Sequence, residues 1–398
     1  MLSLSMIVRD EAERLERCLA SVTGFVDEIV VVDTGSQDAT IAIAQAWGAT
    51  VHQRPWPGDF AAARNQALEL VQGDWVLVLD GDEWLRPEAR APLHALMARP
   101  ELLLITLLRR ELGPALAPYS CVSRLFRHHR AIHWERAYHS LVDDSVAALL
   151  RLEPRWQVAD CPEPALFHDG YAPERRQALA KAQRLRQAME SELVARPDDP
   201  YTCAKLGGLE VAEGHRARGL ALLGQGLAHC DPTHQAPERY ELLLNLGLAL
   251  TPVDARAAEA HYQQALALPL NPRVTLAARL NLASLALDQG RVDQAAGLCL
   301  EATRAAPEVP LGWLNLGLAE RRRGRLPEAV RAYRQAIALD PEPPEAHQNL
   351  ALALLLQGDI QGAREGFSRT LALLERQNRQ AEANSLRQRL IPMVNLNP

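Results

Sequence analysis

Residues 29–40 of this 398-residue chain read IVVVDTGSQDAT, and this stretch decides the fold of the first half. Four consecutive apolar residues that end at Asp33 are typical of a buried strand in a parallel sheet. Short apolar runs also span residues 2–8 and 75–79, the second ending at Asp80. Between the runs, apolar residues have helical spacing, which predicts a first helix over residues 9–22. Alternating strands and helices predict a parallel sheet with helices on both faces, which binds its ligands at the carboxyl ends of the strands.

The second half of the chain repeats itself every 34 residues. Asn-Leu-Ala or Asn-Leu-Gly triplets begin at Asn281, Asn315 and Asn349, and other positions share this period: Gly290, Gly324 and Gly358, Ala295, Ala329 and Ala363, Cys299, Tyr333 and Phe367, Pro307 and Pro341. This period and these positions resemble the tetratricopeptide repeat, a helix–turn–helix unit. An unrelated helical bundle is the alternative, but five classes of position with one period argue against it.

The periodicity divides the chain into three predicted parts. We expect an α/β domain over residues 1–171, a connecting helix over 172–200 and an all-α repeat superhelix over 201–394. The superhelix would hold two degenerate repeats, three clear repeats over about 275–376, and a capping helix near 381–390.

Composition, charge and the lengths of the apolar runs argue against several classes of protein. The net charge of −6 and the pI near 6.1 argue against a nucleic-acid-binding protein that works by bulk positive charge. The longest apolar runs are far shorter than the roughly 18–20 residues of a transmembrane helix. No signal peptide is expected, and six scattered cysteines without a CxxC pair indicate reduced thiols. We expect a cytoplasmic protein, with a peripheral position at the inner membrane surface left open.

Four ordered motifs in the first half resemble family 2 glycosyltransferases of the GT-A fold. They are SMIVRDE at 5–11, IVVVDTGSQDAT at 29–40, FAAARN at 60–65 and GDWVLVLDGDE at 73–83. The last contains the acidic DxD motif of that family. The resemblance therefore implies a GT-A domain, Rossmann-like with a mostly parallel sheet, that uses a nucleotide-diphospho-sugar, with a UDP-sugar favoured.

The resemblance implies roles for four residues near the strand ends. Asp33 would bind the nucleotide base, Asp80 the ribose, and Asp82 a metal ion, Mg²⁺ or Mn²⁺; Arg64 is a candidate for contact with the base or phosphate. Two carboxylates one residue apart suit such hard cations. Simpler structural roles stay open. Asp33 would then cap the next helix through a turn with Gly35 and Ser36, and Asp82 and Glu83 would be charges at a helix N-terminus.

Further candidates lie between residues 119 and 171. SRLFR at 123–127 and FHDGY at 167–171 also match relatives of this type, which makes His168 a candidate ligand for metal or diphosphate. A purely structural histidine is the alternative.

The chain departs from its relatives where an inverting enzyme needs a base. Relatives have His-Glu, and this chain has His139-Ser140. A carboxylate must take the proton of the acceptor hydroxyl, which serine cannot do. Glu135, Asp143 and Asp144 are the candidate bases, and the sequence does not choose among them. Serine at this position is consistent with a catalytic base elsewhere in the chain, with a different acceptor or with an inactive enzyme.

Two functions follow as hypotheses. The first is inverting, metal-dependent transfer of a sugar to a protein, glycan or lipid-linked acceptor, with the repeats binding the acceptor or a protein partner. The second is a tetratricopeptide interaction scaffold that carries a catalytically degenerate glycosyltransferase domain, as the substitution at Ser140 would suggest. A nucleotidyltransferase is a third hypothesis. The sequence argues against it, because no Gly-rich, lysine-containing phosphate loop follows the first strand.

Overall fold

The computed structural model describes residues 1–112, 117–138, 140–169, 175–232 and 235–390. The chain forms two compact units, Met1–Asp231 and Pro232–Pro398. The sequence-based domain limits at residues 171 and 200 stay predictions. No helix in the described ranges is both long and apolar enough to cross a membrane.

The first unit begins with a mixed α/β region. Its strands are β1 (Leu2–Val8), β2 (Glu28–Asp33), β3 (Thr50–Gln53), β4 (Trp75–Val78), β5 (Glu83–Leu85), β6 (Leu102–Glu111), β7 (Tyr119–Arg127) and β8 (Gln157–His168). Its helices are α1 (Ala12–Val22), α2 (Thr40–Ala46), α3 (Phe60–Leu68), α4 (Arg90–Met97) and α5 (Asp143–Leu152). The α/β class predicted from the sequence is confirmed.

One eight-stranded sheet runs through this region in the order β3-β2-β1-β4-β7-β6-β8-β5. Strands β1 to β4 are parallel, β7 is antiparallel to both β4 and β6, β6 and β8 are parallel, and β5 is antiparallel to β8. The carboxyl ends of β2 and β4 therefore share one edge, where Asp33 and Asp80 lie. The mostly parallel sheet that the resemblance implied is confirmed.

Separate apolar clusters cover the two faces of the sheet. Helix α1 packs on one face through Leu15 and Leu19, beside Leu93 of α4. On the other face, Ala61 of α3 and Val146 of α5 belong to the second cluster. All four side chains of β4 are buried, as expected for a central strand with helices on both faces.

The predicted strands over 2–8, 29–32 and 75–79 are confirmed, but the first helix is shorter than predicted. Helical spacing of apolar residues predicted a helix from Arg9, and α1 begins at Ala12. Asp10 adopts a positive φ of 54°, a conformation outside the right-handed helix. This bend ends the strand and delays the helix by three residues.

Helices make up the rest of both units. The first unit continues with α6 (Arg175–Ala195), α7 (Pro200–Ala212) and α8 (Arg216–His229). The second unit contains α9 (Ala236–Leu250), α10 (Ala255–Leu266), α11 (Leu276–Asp288), α12 (Val292–Ala305), α13 (Pro310–Arg322), α14 (Leu326–Leu339), α15 (Pro344–Leu356), α16 (Ile360–Arg376) and α17 (Gln380–Leu390). Consecutive helices pack as pairs, α9 with α10 through α15 with α16.

Glycines at two kinds of position explain the repeat pattern. Gly290 and Gly324 both adopt φ of +74°, which lets them end one helix and turn the chain into the next. Gly317 of α13 instead allows close packing, because a Cβ there would lie 2.4 Å from Cε1 of Tyr333 in α14. The period predicted from the sequence thus corresponds to turns and helix–helix contacts.

Candidate functional site

Asp33 organises the turn that follows β2. Its Oδ1 accepts hydrogen bonds from the backbone N–H of Gly35 at 3.0 Å and of Ser36 at 3.1 Å, and its Oδ2 accepts one from the Ser36 hydroxyl. The Asp33 side chain is buried. The turn considered as the structural alternative is therefore present, and the role of Asp33 toward a nucleotide base stays a prediction.

Asp80, after β4, lies between two arginines. Oδ1 accepts a hydrogen bond from Nη2 of Arg64 on α3 at 2.6 Å, and Oδ2 accepts one from Nη2 of Arg124 on β7 at 2.8 Å. Both guanidinium groups face the ring of Trp134, at 4.7 Å and 5.8 Å from its centroid. The structure thus brings Arg64 and Asp80 together, as the sequence-based site required, and adds Arg124.

Two arginines flank the carboxylate of Asp80, and Arg124 also lies 4.0 Å from the buried carboxylate of Glu83. Burial opposes ionisation of Asp80, but Arg124 and Arg64 hold the pKa of Asp80 well below its usual range. Nε and Nη1 of Arg64 and Nη1 of Arg124 are buried, and they have no hydrogen-bond partner among the described residues. Such donors next to a strand end are suited to binding an anionic oxygen.

Glu83 connects Asp80 to a deeper network. Its side chain is fully buried, its Oε2 accepts a hydrogen bond from the backbone N–H of Asp80 at 3.0 Å, and its Oε1 accepts one from Nη1 of Arg109 at 2.6 Å. Nε of Arg109 donates to Glu111 at 2.9 Å. Glu83 begins strand β5, so its interpretation as a charge at a helix N-terminus is wrong.

Asp82 and His168 form a second pair at the same edge. Nε2 of His168 lies 3.3 Å from Oδ2 of Asp82, and Nδ1 of His168 lies 2.5 Å from Oε2 of Glu111. Arg14 approaches Asp82 at 3.7 Å. Burial alone would lower the pKa of His168, but the hydrogen bonds to Asp82 and Glu111 raise it to about 9.

The donor chemistry of this pair fits a divalent cation. No group of three or more His, Cys, Asp and Glu side chains that could hold a metal lies within the described ranges. One carboxylate and one imidazole nevertheless suit Mn²⁺, and Mg²⁺ commonly takes one or two protein carboxylates and fills its shell with phosphate oxygens and water. Glu111 holds the second ring nitrogen of His168, as carboxylates do behind metal-binding histidines.

The three candidate bases differ in their partners. Asp143 begins α5; its Oδ1 accepts a hydrogen bond from the Ser123 hydroxyl at 2.7 Å, and its buried Oδ2 has no hydrogen-bond partner among the described residues. Burial raises the pKa of Asp143. Asp144, in contrast, pairs with Arg136 at 3.1 Å and Arg196 at 3.3 Å.

Glu135 is likewise engaged, since its Oε2 accepts a hydrogen bond from Arg196 at 2.9 Å. His139 lies outside the described residues. Asp143 is linked to the donor side of the site through its hydrogen bond with Ser123. Its partner Ser123 precedes Arg124, which binds Asp80, and the pairing of β6 with β7 shifts register at this point. A β-bulge of this kind re-aims neighbouring side chains and is common beside active sites.

Sequence reasoning missed part of this cluster. Arg109, Glu111 and Trp134 had no assigned role, Glu83 was considered only as a charge at a helix N-terminus, and Arg124 appeared only inside a motif. Arg109, Arg110 and Glu111 are three consecutive charges at the end of a strand that is otherwise almost entirely apolar, and this change in composition was a signal that could have found Arg109 and Glu111.

Comparisons with known proteins extend these observations. The family model described as Glycosyl transferase family 2 matches residues 3–147, a Tetratricopeptide repeat model matches 254–310 and a TPR repeat model matches 317–358. A TPR repeat-containing protein of Synechococcus elongatus is 46% identical over 306 residues, which cover 77% of this chain and 75% of that protein.

Two further likenesses cover one half of the chain each. An uncharacterized glycosyltransferase of Rickettsia bellii is 30% identical over 190 residues, and the match covers 46% of this chain and 63% of that protein. Among solved structures, MamA from Desulfovibrio magneticus RS-1 is 24% identical, with a TM-score of 0.39 over 44% of this chain and 97% of that one.

Proposed function

Since the chain belongs to the TPR repeat-containing proteins and has a family 2 glycosyltransferase domain at its N-terminus, we propose that it is an active, metal-dependent, inverting glycosyltransferase. Its donor would be a nucleotide-diphospho-sugar, with a UDP-sugar favoured. The proposal rests on two neighbouring groups of side chains at one edge of the sheet. In the first, Asp80 lies between Arg64 and Arg124; in the second, Asp82 pairs with His168.

Arg64, Asp80 and Asp33 would bind the donor. The ionised Asp80 would offer carboxylate oxygens to ribose hydroxyl groups. The N–H groups of Arg64 and Arg124 that have no hydrogen-bond partner in the described part of the chain would attract the anionic diphosphate. Asp33, whose carboxylate already orders the turn after β2, would accept a hydrogen bond from the base.

Asp82 and His168 would hold Mg²⁺ or Mn²⁺. When bound, the cation would neutralise negative charge on the departing nucleoside diphosphate. Binding of the cation through Nε2 would require His168 to lose the proton that Nε2 directs toward Asp82, while Glu111 would keep the ring oriented through Nδ1.

Asp143 is the base that we favour. The carboxylates of Glu135 and Asp144 are neutralised by arginines, whereas Oδ2 of Asp143 has no partner among the described residues and can accept a proton. Burial, which raises the pKa of Asp143, makes its carboxylate a better proton acceptor. The shifted base would then replace the glutamate that this chain lacks at Ser140.

The helical repeats would bind a protein or glycan acceptor, or a protein partner. Repeat proteins commonly use the surface of stacked helix pairs for this purpose. A lipid-linked acceptor is compatible with the same donor site.

An assay on the purified full chain separates the enzyme from the scaffold hypothesis. We would incubate it with UDP-sugars and GDP-sugars, with Mn²⁺ or with EDTA, and measure the free nucleoside diphosphate released by slow transfer to water. We expect release that depends on Mn²⁺ and on one class of nucleotide. Absence of release, combined with absence of UDP and GDP binding, would favour the scaffold that Ser140 suggests.

A further inference from the structure

The described residues 135–138 and 140–141, here named the 135–141 loop, lie next to the candidate base and the donor-binding helix. Two backbone hydrogen bonds close it, from N–H of Glu135 to the carbonyl of Leu141 at 2.9 Å and in the reverse direction at 3.1 Å. The backbone N–H of Phe60, the first residue of α3, donates to the carbonyl of Ala137 at 2.9 Å. The loop therefore connects the helix that carries Arg64 to the start of α5.

Arg136 in this loop is tied to the helical part of the same unit. Its side chain is 6% exposed, and it binds Asp199 in a bidentate manner, with Nη1 at 2.5 Å from Oδ2 and Nη2 at 3.0 Å from Oδ1. Asp199 is the N-cap of α7, and its Oδ2 also accepts a hydrogen bond from the backbone N–H of Thr202 at 2.8 Å. The ring of Tyr201 lies 5.0 Å from the guanidinium carbon.

The backbone of Arg136 adopts a conformation that needs support from its surroundings. Its φ is +73°, a left-handed conformation that is rare for a residue other than glycine and that costs about 1–3 kcal/mol. Such a conformation persists only when the surroundings hold it, and the bidentate pair with Asp199 supplies that hold.

A second arginine reinforces the connection. Arg196, just after α6, donates to Glu135 at 2.9 Å and to Asp144 at 3.3 Å. Arg136 also donates to Asp144 at 3.1 Å. Two guanidinium groups and three carboxylates thus join the loop, the start of α5, the end of α6 and the start of α7.

We infer that Arg136 and Asp199 are positioning residues, through which α6 and α7 hold the 135–141 loop and Asp143 in place for sugar transfer. This inference rests on the proposed function. It assigns the first helices after the sheet to the support of the catalytic centre, in addition to any role in binding partners. The pair does not touch Asp80 or Asp82, and the loop accepts its backbone hydrogen bond from α3 at Phe60, one turn before Arg64. Loss of the pair should therefore disturb the acceptor side of the site much more than donor binding.

Arg136→Lys and Asp199→Asn test the inference. Lysine cannot form the bidentate contact, and asparagine removes the charge while remaining a good N-cap, so both variants should fold. Arg291→Lys is a matched control, because Arg291 pairs in the same bidentate way with Glu259 at 2.8 Å and 2.7 Å in the second unit.

Three measurements on each full-length variant separate positioning from general stability. We expect hydrogen–deuterium exchange in residues 133–142 to rise by about tenfold or more, at exchange times short enough that the core strands β1, β2 and β4 stay protected in wild type and in both variants. The rate of UDP release from UDP-sugars should fall by about tenfold, whereas the affinity for UDP in the presence of Mn²⁺ should stay within about twofold. The control variant should change none of the three.

Unchanged exchange in residues 133–142 of both variants would overturn the inference, and so would a rise spread equally over the core strands. A wild-type chain that binds neither UDP nor GDP with Mn²⁺ would contradict the proposed function instead. The exchange pattern of the variants would still decide whether Arg136 and Asp199 hold the loop.

Discussion

Oδ2 of Asp82 and Nε2 of His168 lie 3.3 Å apart, although 86 residues separate them in the sequence. The antiparallel pairing of β5 with β8 produces this proximity, because it places Glu83 opposite His168 and leaves Asp82 just before the paired residue. Glu111, at the end of β6, pairs with His168 from the other side of β8. The metal site that we propose therefore depends on three neighbouring strand ends.

Glu111→Gln should weaken Mn²⁺ binding by about 10- to 100-fold, because the carboxylate that orients His168 would be lost. The free Mn²⁺ signal in electron paramagnetic resonance, recorded during titration in the presence of UDP, measures this affinity. Glu101→Gln is the control, since Glu101 precedes the same strand and pairs with Arg99. Equal Mn²⁺ affinity in wild type and Glu111→Gln would exclude this role for Glu111.

Asp143→Asn should lower the rate of sugar transfer or donor hydrolysis by at least about 100-fold, because the proton acceptor would be lost. Its affinity for UDP with Mn²⁺ should not change. Glu135→Gln and Asp144→Asn should cost less than about tenfold, because arginines already engage these carboxylates. The rate of UDP release in all three variants tests the assignment. A larger loss of rate in Glu135→Gln or Asp144→Asn would assign the role of base to that residue instead.

Stability should depend on pH through Asp199. Burial favours the neutral acid, but Arg136 and Thr202 lower the pKa of Asp199 below its ordinary value of 3.8. A lowered pKa in the folded state means that ionised Asp199 stabilises the fold at neutral pH and that this contribution is lost as pH falls. Wild type should exceed Asp199→Asn by about 3 kcal/mol in the free energy of unfolding at pH 7.

This difference should stay constant from pH 7 to pH 5 and shrink below 3.8, as Asp199 takes up its proton. Urea unfolding of both proteins across this range provides the measurement. A difference that increases toward low pH would contradict the assigned pair.

Substitution by alanine at two glycines in neighbouring helices should have opposite effects on stability. A methyl group at Gly317 would lie 2.4 Å from the Tyr333 ring, so Gly317→Ala should destabilise the second unit by about 1–3 kcal/mol. Gly297 of α12 has nothing within 4 Å of an added Cβ, and Gly297→Ala should be neutral or stabilise by up to about 1 kcal/mol. Thermal unfolding distinguishes the two, and equal effects would contradict the packing described for this repeat.

Features of the fold that depend on a local sequence pattern were predicted well. The apolar run before Asp33 is strand β2, and the 34-residue period corresponds to the turn at Gly324 and the contact of Gly317 with Tyr333. Helix ends were less predictable, since the left-handed Asp10 interrupts an otherwise helical pattern.

The site could be predicted only where it follows strand ends. Asp33 and Asp80 lie at the carboxyl edge of the sheet, as alternating strands and helices implied. The partners of Asp82 and His168 depend on the pairing of β5, β6 and β8, and the contact of Arg136 with Asp199 joins residues 63 positions apart. No local pattern encodes such pairings, so the sequence alone left the three candidate bases equivalent.

The central claim is that Asp82, beside Asp80, supports metal-dependent nucleotide binding. Calorimetric titration of UDP into the full chain, with and without Mn²⁺, tests it most directly when wild type, Asp82→Asn and Asp160→Asn are compared. Asp160 is exposed on β8, the strand that carries His168, and serves as the control. We expect Mn²⁺-dependent UDP binding in wild type and Asp160→Asn, and its loss in Asp82→Asn; equal binding by all three proteins would contradict the account.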